Sequence, residues 1–275
     1  MKAVRFHDYG DSKVLRYEEV PTPVPGPGEV LVKIAGSAFN PVDDGIRGGY
    51  LQQVFPVDLP HVPGIELSGT VALSAAGWPA GEPVIALLSM TAPGSAAEYA
   101  LVPAEALVRA PRTVDLADAA ALPSSALTAW QVLFEHAKLQ KGQTVLINGA
   151  GGAVGGYAVQ LAKQVGAVVT ATASKRSADR LRARGADHLI DYTAEPLSGQ
   201  FDVVVNLVAT EAPGFNTAGP NINVFLRPDP ARLADLVARV DAGELVIDVA
   251  ERRPLKDLAA VHDNPAGGGK SVLLP

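Results

Sequence analysis

Apolar positions in the first 122 residues come in short runs broken by Gly and Pro. The runs are Ala3–Phe6, Glu29–Ala35, Gly69–Leu73, Pro83–Leu88 and Ala97–Val102. Short runs with such punctuation predict strands rather than helices, and together a barrel-like β domain. Residues 21–28, Pro-Thr-Pro-Val-Pro-Gly-Pro-Gly, cannot be helical and read as a rigid extended lead-in to the next strand. From about residue 123 the period changes. Thr144–Asn148 reads as a short buried strand, Ala153–Val165 has helical spacing, and Ala167–Ala173 is a second strand. An Arg-rich helix over Arg176–Arg184 and a strand at Asp202–Asn206 follow, with Asn223–Leu226 as a last strand. Strands alternating with helices imply parallel βαβ units, an α/β arrangement. Asp229-Pro230 opens a helix with a cap before proline, and Leu233, Leu236, Val237 and Val240 give it one apolar stripe. After Gly243 the β style returns in Glu244–Val249 and Ser271–Leu274, around a short helix near Pro254–His262.

The 275-residue length fits two domains, and 48% hydrophobic content supplies a full core. Lys and Arg number 23 against 29 Asp and Glu, a net charge of −6, which argues against general nucleic-acid or membrane-surface binding. There is no cysteine, so disulfides, thiolate catalysis and Cys-ligated zinc or iron–sulfur clusters are excluded. The histidines, His7, His61, His136, His188 and His262, are too far apart for a local metal clip, and no metal is expected. No apolar stretch is long enough for a transmembrane helix. The start, Met1 to Asp8, carries charges where a signal peptide needs its apolar run. The expectation is a soluble, cytoplasmic protein.

The sharpest local signal is Gly149-Ala150-Gly151-Gly152-Ala153-Val154-Gly155-Gly156, between a strand and a helix. Glycines at 149, 152 and 155 suit a tight turn, close approach of backbone to a pyrophosphate, and close helix–strand packing. The helix N-terminus adds N–H groups and a positive dipole end. A dinucleotide therefore binds at Gly149, Gly151, Gly152, Ala153, Val154 and Gly155 in this reading. The next strand ends in Ser174-Lys175-Arg176, with no acid before Asp179. An acid there would hold a ribose 2′-hydroxyl. A hydroxyl and two cations instead suit a 2′-phosphate, which favours NADPH over NADH, unless Lys175 and Arg176 only begin a solvated helix. Arg180, Arg182 and Arg184 read as a solvated helix face.

These residues resemble the zinc-independent, quinone oxidoreductase-like branch of the medium-chain dehydrogenase/reductase superfamily. The resemblance runs from Met1 to about Ala209 and from about Asn223 to the end. It rests on Asn40-Pro41-Val42-Asp43, Val62-Pro63-Gly64-Ile65-Glu66, Gly69-Thr70-Val71, residues 121–130 (Ala-Leu-Pro through Leu-Thr-Ala-Trp), the glycine loop, Gly185-Ala186-Asp187 and Ile190-Asp191-Tyr192. It implies a GroES-like β-barrel domain over 1–122 and 243–275, a Rossmann domain over 123–242, and an active site in the cleft between them. Zinc-containing relatives carry Gly-His-Glu where this chain has Gly64-Ile65-Glu66. In the zinc-less branch NADPH delivers hydride to a quinone, enone or other α,β-unsaturated carbonyl. Tyr50 matches a tyrosine proposed as an acid in related enoyl reductases. A phenol can donate to the enolate formed as hydride arrives, or Tyr50 only walls the pocket. Asn40 and Thr128 match positions near the nicotinamide and its ribose, or serve as a turn residue and a helix-start residue. Tyr192 matches a position near the 2′-phosphate, or is a packed surface tyrosine. Leu207 and Val208 complete the expected cofactor set. Asp43 and Arg47 either pair in the cleft or shape the loop.

One segment departs from the pattern. Residues 207–222 hold Pro213, Gly214, Gly219 and Pro220 and read as loop, so the Rossmann sheet is expected to lack one βα unit. The strand lost there normally ends beside the nicotinamide carboxamide. Either a loop around Asn216, Asn221 and Asn223 replaces it, or the nicotinamide is held poorly. The loss motivates an alternative, a repurposed non-redox member acting as a cyclase, isomerase or small-molecule binder. Relatives are often homodimers that pair sheet edges, and Asn223–Leu226 is the candidate edge.

Overall fold

The computed structural model describes residues 1–194, 199–208 and 226–275, and the backbone alone for 215–217. The chain divides into two compact units. One comprises Met1–Ser124, Pro228–Ala266 and Lys270–Pro275, and the other Ser125–Arg227 with Gly267–Gly269. Among the described residues no helix is long and apolar enough to cross a membrane.

In the first unit Glu29–Ala38 is the central strand. Val30, Val32 and Ile34 alternate along it and face Leu67, Val84 and Val102 in one buried cluster. Its neighbours are Glu66–Val71, Tyr99–Pro103 and Lys270–Leu274, all antiparallel to it. Pro83–Leu87 and Leu107–Arg109 extend the sheet beyond Glu66–Val71. Val249–Pro254 closes the other side, parallel to Lys270–Leu274. A separate antiparallel pair joins Lys2–Phe6 to Leu15–Glu19. The tail thus adds two strands to a sheet begun more than 200 residues earlier.

The last long helix, Pro230–Asp241, starts as its sequence dictates. The Asp229 side chain accepts from the Arg232 N–H, with proline in the first turn. At its other end the Asp241 carboxylate accepts from the N–H groups of Arg112 and Thr113, at 2.7 and 3.2 Å. The helix groups with the first compact unit. Glu244–Val249 is not the expected strand. The N–H groups of Glu244 and Leu245 both bond to the Arg239 carbonyl, closing the helix, and the strand begins only at Val249.

The second unit is built on four parallel strands, ordered His188–Asp191, Val168–Ala173, Thr144–Asn148, Val203–Asn206. Helix Ala153–Gln164 covers the sheet with Tyr157, Ala158 and Leu161 buried. The stretch expected to be loop contains three residues of strand, Phe215–Thr217, parallel to Gly199–Phe201. Flanking Pro and Gly hid it, because its pairing is supplied from outside the segment. The expected strand at Asn223–Leu226 and the side chains of Asn216, Asn221 and Asn223 lie outside the described residues, apart from Leu226, which is not in a strand.

Candidate cofactor and active sites

The strands of the second unit's four-stranded sheet run the same way, so their carboxyl ends share one edge. The glycine loop follows Asn148, Ser174-Lys175-Arg176 follows Ala173, Tyr192 follows Asp191, and Leu207-Val208 follows Asn206. The parallel topology therefore brings these expected cofactor residues to the edge where open α/β sheets bind ligands.

The glycine loop is held by a chain of hydrogen bonds. The Gly149 N–H donates to the Thr172 hydroxyl at 2.9 Å, and that hydroxyl donates to Asn148 Oδ1 at 3.1 Å. Asn148 Nδ2 in turn donates to Asn206 Oδ1 at 2.9 Å. Gly149 has φ +84°, a left-handed conformation that glycine adopts without strain. A Cβ on Gly149 would stand 2.8 Å from Val208 Cγ1 and 3.3 Å from Leu207 Cβ. Gly155 is more constrained: a Cβ there would meet the Ala150 Cα and stand 2.5 Å from the Gly149 carbonyl oxygen. Both obstacles are backbone, so only glycine lets the helix approach the turn. Gly152 caps helix Ala153–Gln164 without any side-chain hydrogen bond. The first-turn N–H groups at Ala153, Val154 and Gly155 thus meet no side-chain cap and are available to an anion. This cradle fits a dinucleotide pyrophosphate.

Lys175 and Arg176 are exposed at the end of their strand, and Tyr192 is 55% exposed on the adjacent one. The Lys175 charge is felt at Asp191, whose carboxyl is held below its usual range mainly by hydrogen bonds from Thr193. Ser174 is half-buried, and its N–H donates to the Ser177 hydroxyl at 3.1 Å. Arg180 is not the solvated side chain expected: its Nη2 donates to the Gly151 carbonyl at 2.7 Å. The helix turn carries it back over the glycine loop, a tertiary contact that helix periodicity alone does not reveal. Arg182 does face solvent, paired with Asp179 at 3.0 Å. Thr128 is half-buried on helix Pro123–Trp130.

In the first unit Asn40 caps helix Pro41–Arg47. Its N–H donates to Asp43 Oδ2 at 2.9 Å in a capping box. Its side-chain amide joins a buried network. Nδ2 donates to Glu66 Oε1 at 2.9 Å and to the Ala38 carbonyl, while Oδ1 accepts from Ser124 Oγ at 2.8 Å and from Lys270 Nζ. Glu66 is 0% exposed and Lys270 4%, and their charged groups stand 2.6 Å apart. Glu66 also accepts from the Ser124 N–H at 2.7 Å, and the single Ser124 hydroxyl hydrogen is shared between Glu66 Oε1 and Asn40 Oδ1, each 2.8 Å away. Sequence reading missed this network. Its only signal was an acid and a base each standing at the head of an apolar strand, Glu66–Val71 and Lys270–Leu274.

Asp43 does not pair with Arg47. Its second oxygen accepts from the Gly64 N–H at 3.2 Å. Burial pushes its carboxyl up to about 6, against the charges of His262 and Lys270 and the Asn40 N–H. Arg47 pairs instead with Asp44 at 3.0 Å and donates to the Gly10 carbonyl at 2.6 Å. Burial alone would raise the Asp44 carboxyl, but hydrogen bonds from His262 and Arg47 outweigh it and hold it below the usual range. Asp43 and Gly64 border a recess of about 10 Å³, enough for one water, with His61 on its wall. Burial pushes the His61 imidazole down to about 4, partly opposed by Asp58. Tyr50 lies just beyond the helix, 87% exposed.

The chain matches the alcohol dehydrogenase GroES-like domain family over residues 26–112. It is 35% identical over 239 residues to the chloroplast envelope quinone oxidoreductase homolog of Arabidopsis thaliana, covering 81% of this chain and 72% of the relative. It is 36% identical over 224 residues to the same plant's chloroplastic NADPH-dependent alkenal/one oxidoreductase, covering 76% of this chain and 57% of that protein. The quinone oxidoreductase of Coxiella burnetii superposes with a TM-score of 0.88 at 27% identity, covering 100% of this chain and 99% of that one. The chain belongs to the quinone oxidoreductase-like branch of the medium-chain dehydrogenase/reductase superfamily, with a GroES-like and a Rossmann domain. None of these three relatives carries a cyclase or isomerase name.

Proposed function

We propose that this protein is an NADPH-dependent, zinc-independent reductase of quinones, enones or other α,β-unsaturated carbonyls. The observation that carries the reading is the glycine cradle at the carboxyl edge of the parallel sheet, where a Gly155 side chain would strike backbone. The names of the relatives support the same chemistry. In this reading the parallel-sheet unit holds the cofactor and the GroES-like unit takes the substrate. NADPH, when bound, supplies a hydride to the β-carbon of the acceptor.

The chain's own groups then do the remaining work. Backbone N–H groups from Ala153 to Gly155 hold the pyrophosphate, and the helix dipole adds to them. Lys175 and Arg176, with Ser174 and Tyr192, receive the 2′-phosphate, which favours NADPH over NADH. Leu207 and Val208 pack on Gly149 and wall the loop. Thr128 would contact the nicotinamide ribose. The exposed Tyr50 hydroxyl would donate a hydrogen bond or proton to the acceptor's carbonyl oxygen, where negative charge would develop. Asn40 acts by positioning: its amide is fully engaged with Glu66, Ser124, Lys270 and the Ala38 carbonyl, and its cap sets the helix that leads to Tyr50.

The proposal includes a cytoplasmic homodimer, which light scattering tests by mass. The catalytic reading is tested by following NADPH oxidation against a panel of simple quinones and enones. Turnover with at least one class is expected. Bound NADPH with no turnover across the panel would refute it.

A further inference from the structure

We propose that Arg180 is a positioning residue for the dinucleotide, a latch that fixes the peptide plane at the mouth of the glycine loop. The inference rests on the cofactor reading above. Arg180 Nη2 donates to the Gly151 carbonyl at 2.7 Å. The N–H of the same peptide unit, on Gly152, donates to the Gly149 carbonyl at 3.1 Å. Because a peptide is planar and trans, its C=O and N–H point opposite ways. Holding both ends therefore fixes the plane between Gly151 and Gly152. That plane immediately precedes the uncapped first turn of helix Ala153–Gln164, so it sets where the anion-binding N–H groups point.

Three glycines close together give this plane little stiffness of its own. A side chain from another element must supply it. The base of the latch is rigid: Ser177 is 8% exposed and holds the turn through its hydroxyl, which accepts from the Ser174 N–H and donates to the Ser174 carbonyl. The same hydroxyl lies 3.3 Å from where a Cβ on Gly151 would stand, so the turn and the loop are packed together. Gly267 and Gly268 run past the neighbouring guanidinium groups. A Cβ on Gly267 would stand 3.5 Å from Arg176 Nη2, and one on Gly268 3.8 Å from Arg180 Nη2. Arg180 thus links the cationic strand end to the pyrophosphate cradle. It differs from Lys175 and Arg176 in its predicted signature. Those two recognise a group that only NADPH carries, whereas the latch serves the pyrophosphate common to NADPH and NADH.

The test measures dissociation constants for NADPH and NADH by calorimetry on the full chain, for wild type, Arg180→Leu, Arg180→Lys and Lys175→Ala/Arg176→Ala. Amide hydrogen exchange is followed at 149–155 without nucleotide. For Arg180→Leu the expected result is at least tenfold weaker binding of both nucleotides with their ratio unchanged, and faster exchange at 149–155. Arg180→Lys, which keeps a positively charged donor group, recovers part of both. The double variant weakens NADPH alone. Unchanged affinities with unchanged exchange in Arg180→Leu would overturn the proposal. So would loss of NADPH binding alone, which would make Arg180 one more phosphate cation. If wild type binds neither nucleotide, the cofactor reading fails, and hydrogen exchange alone still decides whether Arg180 holds the loop.

Discussion

Lys270→Met should cost about 3–5 kcal/mol of stability, the range for removing one partner of a buried ion pair. Glu66 is wholly buried and keeps three donors after the change: the Ser124 N–H and hydroxyl and the Asn40 amide. Those bonds pull the cost toward the lower end. Against them, the Phe39 carbonyl, at 3.0 Å from Lys270 Nζ, and Asn40 Oδ1 each lose a charged donor. A lost buried partner costs about 1–3 kcal/mol, which pulls the other way. Lys270 also pins the final strand to the barrel, so the effect is on folding rather than on a local surface. The assay is urea unfolding of wild type, Lys270→Met, Glu66→Gln and the double variant, with the midpoint and slope fitted separately. The double variant should recover at least about 1 kcal/mol relative to the sum of the singles, since neither charge is then left alone. A cost below about 1 kcal/mol for Lys270→Met, or strict additivity, would refute the reasoning.

Burial raises the Asp43 carboxyl to about 6 from an ordinary 3.8, so the folded state holds this proton more tightly than the unfolded chain. That stabilisation is complete below pH ~3.8 and is lost as pH rises through ~6, a swing of at most about 3 kcal/mol. The stability difference between wild type and Asp43→Asn should therefore fall from pH 4 to 6 and stay flat above; a flat difference throughout would contradict it. Gly155→Ala should weaken dinucleotide binding more than tenfold and lower the Tm, because its Cβ meets backbone, whereas Gly151→Ala, with only Ser177 at 3.3 Å, should be milder by both measures. Tyr50→Phe should leave the Tm unchanged, since the ring is 87% exposed, and lower kcat by roughly 10²- to 10⁴-fold if the hydroxyl donates the proton. A change in KM alone would make it a pocket wall.

Local signals made part of this legible. The strand Thr144–Asn148 and the start of helix Ala153–Gln164 fall where the apolar run and the glycines place them. Asp229-Pro230 fixes its helix start by a cap that needs no tertiary partner. Elements set by distant residues were not legible. Strand Leu15–Glu19 is polar and half-exposed, and it exists because Lys2–Phe6 pairs with it. Helix Pro41–Arg47 contains two aspartates and a glycine, and is held by the Asn40 cap and by His262, whose Nδ1 is 2.6 Å from Asp44. That the proposed cofactor residues share one edge was readable, because parallel strands carry their following residues to one side. The Glu66–Lys270 pair and the Arg180 contact were not, since no sequence period relates their partners.

Titration of the full chain with NADPH and with NADH tests the central claim most directly. The expected result is saturable binding of both, with NADPH at least tenfold tighter, and loss of that preference in Lys175→Ala/Arg176→Ala. Failure to bind either nucleotide would contradict the reading of the glycine loop as a cofactor site, and equal affinity for both would contradict the 2′-phosphate role of Lys175 and Arg176.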